Sequence, residues 1–143
     1  MESRDDTSVA ESRPVSPVRI LLADDHEAIL TRVIEVLAPH YDVIRVVRDG
    51  AALVEKAASL DPDVLVVDIC MPILDGIQAV DRLRNGGSRA KVVFLTVNEG
   101  ADFVQACFAA GANGYVVKSR LANDLVFAIR EALVGRRFVS PTL

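Results

Sequence analysis

Apolar residues in this chain come in short solid runs, separated by longer stretches in which they recur at helical spacing. The run Val64-Leu65-Val66-Val67 is mostly β-branched, lies between Pro62 and Pro72, and ends in a single carboxylate, Asp68. An uninterrupted run of strand length, rather than an alternating one, suits a strand covered on both faces, the central strand of a parallel sheet. Residues 18–23, Asp42–Val47, Lys91–Thr96 and 115–117 read as four further strands. Between them, Ile29, Leu30, Val33, Ile34 and Leu37 predict a first helix, with Asp24 or Asp25 as its cap and Pro39 closing it. Leu53, Val54, Ala57 and Leu60 predict a second helix after the turn Asp49-Gly50, and Ile77, Val80 and Leu83 a third, ended by Asn85-Gly86-Gly87. Val104, Cys107, Phe108 and Gly111 give the inner face of a fourth. Leu121, Leu125, Ala128, Ile129, Ala132 and Leu133 make the fifth, which Gly135 stops. Five strands alternating with five helices predict an α/β fold: a doubly wound parallel sheet with right-handed crossovers and helices on both faces.

Composition narrows the function classes. The 143 residues allow one domain of ordinary size, and 51% apolar content supplies an aliphatic core. A formal charge of −4 argues against direct nucleic-acid binding by this chain, because a phosphate backbone demands a basic face. No apolar run reaches the length of a membrane span. Residues 1–17 are polar and acidic, without the hydrophobic segment of a leader peptide, so a disordered N-terminal tail and a cytoplasmic location are expected. The remaining boundaries are a domain over 18–137 and the start of a linker or C-terminal tail over 138–143. Cys70 and Cys107 match no zinc or redox spacing and read as reduced structural thiols.

The chemistry gathers at one rim. In open α/β sheets ligands sit at the carboxyl ends of the strands, and there the chain places Asp24, Asp25, Asp68, Thr96 and Lys118. Three carboxylates close together repel and raise one another's pKa values, a conflict that a divalent cation removes. Oxygen donors without a His/Cys cluster point to Mg²⁺. A lysine and a hydroxyl beside such a site suit phosphoryl oxygens, and aspartate can accept phosphate covalently. Phosphoryl transfer onto Asp68 is the reaction that this set fits.

Asp24-Asp25, Asp68 followed by Met71-Pro72 and Asp75-Gly76, Thr96, and Gly111-Ala112-Asn113-Gly114-Tyr115 with Lys118 resemble the receiver domain of two-component response regulators. The resemblance covers about residues 18–137. It implies a flavodoxin-like sheet of strand order 2-1-3-4-5. Asp68 would be the phosphoacceptor. Asp25, Asp68 and the backbone carbonyl of Cys70 would ligate Mg²⁺, with Asp24 acting through water. Lys118 would pair with the phosphoryl group, Thr96 would hydrogen-bond to it, and Tyr115 would be the aromatic switch. The implied partner is a sensor histidine kinase. LLADDHEAIL, GANGYVVK and GRRFVSP further resemble the LuxR/NarL type, in which a helix-turn-helix output follows the receiver. That favours a receiver cut from a longer transcriptional regulator over one that works alone.

Departures from the pattern carry expectations of their own. Val97 follows Thr96 where the family usually has a small residue, so access to the acyl phosphate should be narrowed. Val97→Ala is expected to speed phosphorylation by small donors or hydrolysis; rates that barely change would refute this. Ser119 stands where many members have proline, so a trans bond after Lys118 is expected. His26 reads as a partly exposed surface residue. Phe103 and Phe127 fall off the inner stripes of their helices. With Ala106, Ala109 and Ala110 they suggest a dimer or effector surface on the fourth helix, fifth strand and fifth helix. Two competitors remain. A Mg²⁺-dependent aspartyl phosphatase usually carries a second Asp two residues after the nucleophile, where this chain has Cys70. A non-phosphorylated interaction module would have no need of all five site residues.

Overall fold

The computed structural model describes residues 17–97 and 100–141; the expected tail over 1–17 lies outside these residues except for Pro17. Strands β1 (Arg19–Ala23), β2 (Asp42–Val47), β3 (Val64–Asp68), β4 (Lys91–Thr96) and β5 (Gly114–Val117) alternate with helices α1 (Glu27–Leu37), α2 (Gly50–Leu60), α3 (Gly76–Asn85), α4 (Ala101–Ala109) and α5 (Leu121–Leu133). The parallel sheet has the order β2-β1-β3-β4-β5, extended at its end by a two-residue β6 (Phe138–Val139). The flavodoxin-like architecture read from the sequence is therefore present, with one strand more than the hydrophobic pattern announces.

All five residues of β3 are buried, and the side chains alternate between two cores. Leu65 and Val67 join Leu21, Leu53, Val80, Phe94 and Cys107 on the face covered by α2, α3 and α4. Val64 and Val66 join Ile20, Leu22, Val33, Leu125 and Ile129 on the face covered by α1 and α5. Burial of each such side chain contributes roughly 1.5–3 kcal/mol, so a slip of β3 by one residue would exchange two packed cores at once. Register is consequently tight: Val66 pairs with Leu22 on one side and Val93 on the other, and Asp68 lies opposite Leu95. This fixes the height of Asp68 at the carboxyl rim.

Local signals explain most boundaries. Asp49 caps α2 by accepting from the amide of Ala52 (2.7 Å), and Asp75 and Gln78 form a reciprocal capping box on α3. Gly135, at φ +83, lets the chain leave α5. The N-terminus of α1 differs from expectation. His26 holds the cap position without a side-chain cap bond, and Asp24 instead accepts the backbone amide of His26 at 2.8 Å. Asp24 is turned back into the sheet rim and is unavailable to the helix amides beyond. Phe103 also departs from expectation: it packs, half-buried, against the α2–α4 core. Phe127 is 46% exposed and meets Phe138 edge-on at 5.5 Å between ring centroids.

Polar bonds hold β6 to the sheet, alongside the packing of Phe138 against the core. Gly114 and Tyr115 pair with Phe138 and Val139. The Ser140 amide donates to the Tyr115 carbonyl (2.9 Å), the Val117 amide donates to Ser140 Oγ (3.1 Å), and Ser140 Oγ donates to Asp124 Oδ2 (2.7 Å). Asp124 and Ser140 are both buried. Burial pushes the Asp124 carboxyl up, but hydrogen bonds from Arg120 and Ser140 and the charge of Arg120 outweigh it, and the net shift is downward from 3.8. A depressed folded pKa stabilises above the unfolded value, and that contribution is lost as pH falls through the folded one. Asp124→Ala, which leaves the Ser140 hydroxyl without its acceptor, is expected to cost about 1–3 kcal/mol at neutral pH. Urea unfolding should show the gap to wild type closing below about pH 4; a gap independent of pH would contradict this.

Candidate functional site

Each site residue stands where its strand stops. Asp24 and Asp25 follow β1, Asp68 closes β3, Thr96 closes β4, and Lys118 follows β5 and opens a single 3₁₀ turn, Lys118–Arg120. Asp24 and Thr96 are buried, as is Asp68 at 2% exposure. Lys118 Nζ lies 3.1 Å from Asp24 Oδ2 and 3.1 Å from Asp68 Oδ1, bridging the two buried carboxylates. Asp25 is more open, with 35% of its side chain exposed. The Cys70 amide donates a long bond to Asp68 Oδ1 (3.4 Å), which holds the turn after β3 close to the carboxylate. No peptide bond among the described residues is cis, so the Lys118–Ser119 bond is trans, as expected from the sequence.

The electrostatics are those of a crowded acid site. Burial, and then the charge of Asp24, push the Asp68 carboxyl above its ordinary value, against the opposing charge and hydrogen bond of Lys118 and the amide of Cys70. Asp68 Oδ2 is buried and has no hydrogen-bond partner among the described residues. A buried carboxylate oxygen left without a donor is costly, and Asp24, Asp25, His26 and Asp68 each offer a ligand atom, all within 4.8 Å of one another. That donor set fits a divalent cation.

The sequence reading placed Asp24, Asp25, Asp68, Thr96 and Lys118 on one rim, and the structure puts them there. Thr96 lies opposite Val117 in the β4–β5 register, one residue before Lys118. Tyr115 is fully buried. Val97 is 77% exposed. One neighbour was missed. The His26 ring is 57% exposed, yet its Nδ1 lies 2.9 Å from Asp24 Oδ1, 3.2 Å from Asp25 Oδ1 and 3.7 Å from Asp68 Oδ2. Its position directly after the acid pair was the available signal.

The fold is flavodoxin-like, with an aspartate cluster and a lysine at the carboxyl rim of its sheet. Residues 20–130 match the model of the response regulator receiver domain. The nitrate/nitrite response regulator NarL of Escherichia coli (strain K12) is 33% identical over 129 residues, covering 89% of this chain and 60% of NarL. The response regulator GacA of Pseudomonas viridiflava is 35% identical over 129 residues, with 88% and 60% covered. Among solved structures, a LuxR-family two-component response regulator from Aurantimonas sp. SI85-9A1 superposes with a TM-score of 0.83 at 34% identity, covering 88% of this chain and 91% of that one. The isolated REC domain of RcsB from Salmonella enterica serovar Typhimurium, solved in the presence of the phosphomimetic BeF3−, superposes at 0.79 with 25% identity, covering 87% and 94%.

The chain belongs to the response regulator receiver domain family of two-component systems. It is similar to the LuxR/NarL type within that family, and it spans about 60% of the length of the curated relatives named above. Among the described residues, no helix is long and apolar enough to cross a membrane.

Proposed function

We propose that this receiver takes a phosphoryl group onto Asp68 from the phosphohistidine of a sensor histidine kinase. An Asp68 carboxylate oxygen attacks phosphorus, the P–N bond breaks, and its electron pair returns to the kinase imidazole. The observation that carries the reading is the state of Asp68: buried at the rim of the central strand, one oxygen on Lys118 at 3.1 Å and the other without a hydrogen-bond donor among the described residues.

Asp25, Asp68 and the Cys70 backbone carbonyl are the groups that would hold Mg²⁺, with Asp24 joined through water. When bound, the cation supplies the charge that lets an anionic donor approach three carboxylates. The Lys118 ammonium then pairs with the transferred group, and the Thr96 hydroxyl hydrogen-bonds to it. Tyr115, three residues before Lys118 and fully buried here, is the aromatic that reports the movement of Thr96. The readout is a change in the surface of α4, β5 and α5, where Phe127 and the neighbouring Val134 are exposed, and it acts by homodimerisation or effector docking. Coupling of this kind is typically worth about 1–3 kcal/mol. In a longer regulator the output would be transcriptional, through a helix-turn-helix domain that carries the DNA contacts. We place the protein in the cytoplasm, with its kinase.

The test is intact mass after incubation with Mg²⁺ and a small acyl phosphate. Wild type should gain one phosphate and Asp68→Asn none. Continuous release of inorganic phosphate from many substrates would instead indicate an aspartyl phosphatase, and a wild type that stays unmodified would refute the proposal.

A further inference from the structure

We infer that His26 is a nitrogen ligand of the cation site, and that this site therefore selects borderline divalent ions such as Mn²⁺ and Co²⁺ over Mg²⁺. The inference rests on the cation reading given above and goes beyond it, since that reading uses oxygen donors alone. His26 Nδ1 points into the acid group, within 3.7 Å of one oxygen from each of Asp24, Asp25 and Asp68. The four residues offer ligand atoms that all lie within 4.8 Å of one another. Asp68 Oδ2, buried and without a hydrogen-bond partner among the described residues, is the independent sign that this point awaits a cation rather than a proton donor.

The backbone makes the ring's position repeatable. The His26 amide donates to Asp24 Oδ1 at 2.8 Å, the same oxygen that Nδ1 approaches at 2.9 Å. The amide bond fixes the backbone of residue 26 beside Asp24, which keeps the imidazole at the rim next to the acids. In the neutral tautomer protonated on Nε2, Nδ1 is a lone-pair donor. Imidazole suits Mn²⁺, Co²⁺, Ni²⁺ and Zn²⁺, with affinity rising along the Irving–Williams order, whereas Mg²⁺ prefers oxygen and keeps its waters. A nitrogen placed beside three carboxylates shifts the choice of ion without abolishing Mg²⁺ binding.

The full chain, with wild type compared to His26→Asn, tests this at about pH 8. Titrations with Mg²⁺, Mn²⁺ and Co²⁺ should show the variant losing about tenfold or more in Mn²⁺ and Co²⁺ affinity, as metal sites commonly do when a ligand shell is disturbed. Its Mg²⁺ affinity should move by much less. Electron spin-echo modulation of the Mn²⁺ complex should show a directly bound ¹⁴N in wild type and none in the variant. This spectrum needs only wild-type protein, so the inference stays testable even if the variant fails to fold. Absence of the nitrogen signal, or equal losses for all three ions, would overturn the inference and leave the receiver reading standing. A wild type that bound no divalent ion would overturn both the inference and the Mg²⁺ reading it rests on, and the separate phosphorylation assay on Asp68 tests the phosphoacceptor role independently.

Discussion

Lys118→Met is expected to lower stability by about 3–5 kcal/mol at neutral pH in the absence of divalent cations, the usual cost of removing one partner from a buried charge group. Lys118 is itself largely buried and lies 3.1 Å from an oxygen of both Asp24 and Asp68. Without it, two buried carboxylates face each other with no ammonium between them. The pH dependence has a definite sign. Burial, followed by the charge of Asp24, already raises the Asp68 carboxyl, and loss of Lys118 removes an opposing influence and raises it further. A raised folded pKa means that stability is greatest below the unfolded value and falls as pH rises through the folded one. The variant should thus approach wild type at about pH 4 and diverge from it toward neutrality. Asp68→Asn added to Lys118→Met should recover much of the loss, with a coupling on the order of 1–3 kcal/mol. Urea unfolding of the four proteins of this cycle is the measurement; a Lys118→Met protein within about 1 kcal/mol of wild type at neutral pH would contradict the electrostatic account.

Gly50→Ala is expected to cost about 3 kcal/mol, the upper range for overpacking, and to lower Tm by about 10 °C in a domain of this size. A Cβ at Gly50 would stand 1.9 Å from the carbonyl oxygen of Leu74 and 2.7 Å from its Cβ. The start of α2 rests directly on the loop joining Asp68 to α3. Gly76 closes the same loop from the other side, where a Cβ would stand 2.4 Å from the carbonyl oxygen of Asp68 itself. Both glycines are required by close approach of backbone, not by unusual φ. An alanine at either position must push out the turn that carries Cys70, so cation affinity should fall along with stability. Gly86→Ala is the control, since its nearest heavy atom is 3.5 Å away and its φ is −83; it should be neutral or gain up to about 1 kcal/mol. Thermal melts and cation titrations of the three variants decide the point. Equal Tm values for Gly50→Ala and Gly86→Ala would contradict it.

What was legible in the sequence follows from the physics of a sheet buried on both faces. Strands such as Val64–Asp68 and Lys91–Thr96 announce themselves as solid apolar runs because neither face meets water. The residue that breaks each run is then forced to the rim, so Asp24, Asp68, Thr96 and Lys118 could be placed together without coordinates. Features fixed by tertiary geometry were not legible. β6 has only two residues and is held by Ser140 reaching Val117 and Asp124, so no periodicity marks it. The cap of α1 was misassigned because Asp24 spends its carboxylate on the amide of His26, inside the rim. His26 itself read as a surface residue; more than half its ring is exposed, and only the direction of Nδ1 connects it to the acids. Phe103 lies off the helical stripe of α4, yet it packs half-buried against the core.

All of this depends on the Asp68 side chain becoming a mixed anhydride. The direct measurement treats the protein with Mg²⁺ and a small acyl phosphate, reduces it with borodeuteride, and sequences the peptides by mass spectrometry. Hydride reduction converts an aspartyl phosphate to deuterated homoserine. The account predicts homoserine at position 68 and nowhere else. Label at another residue, or no label in protein that demonstrably binds the cation, would contradict it.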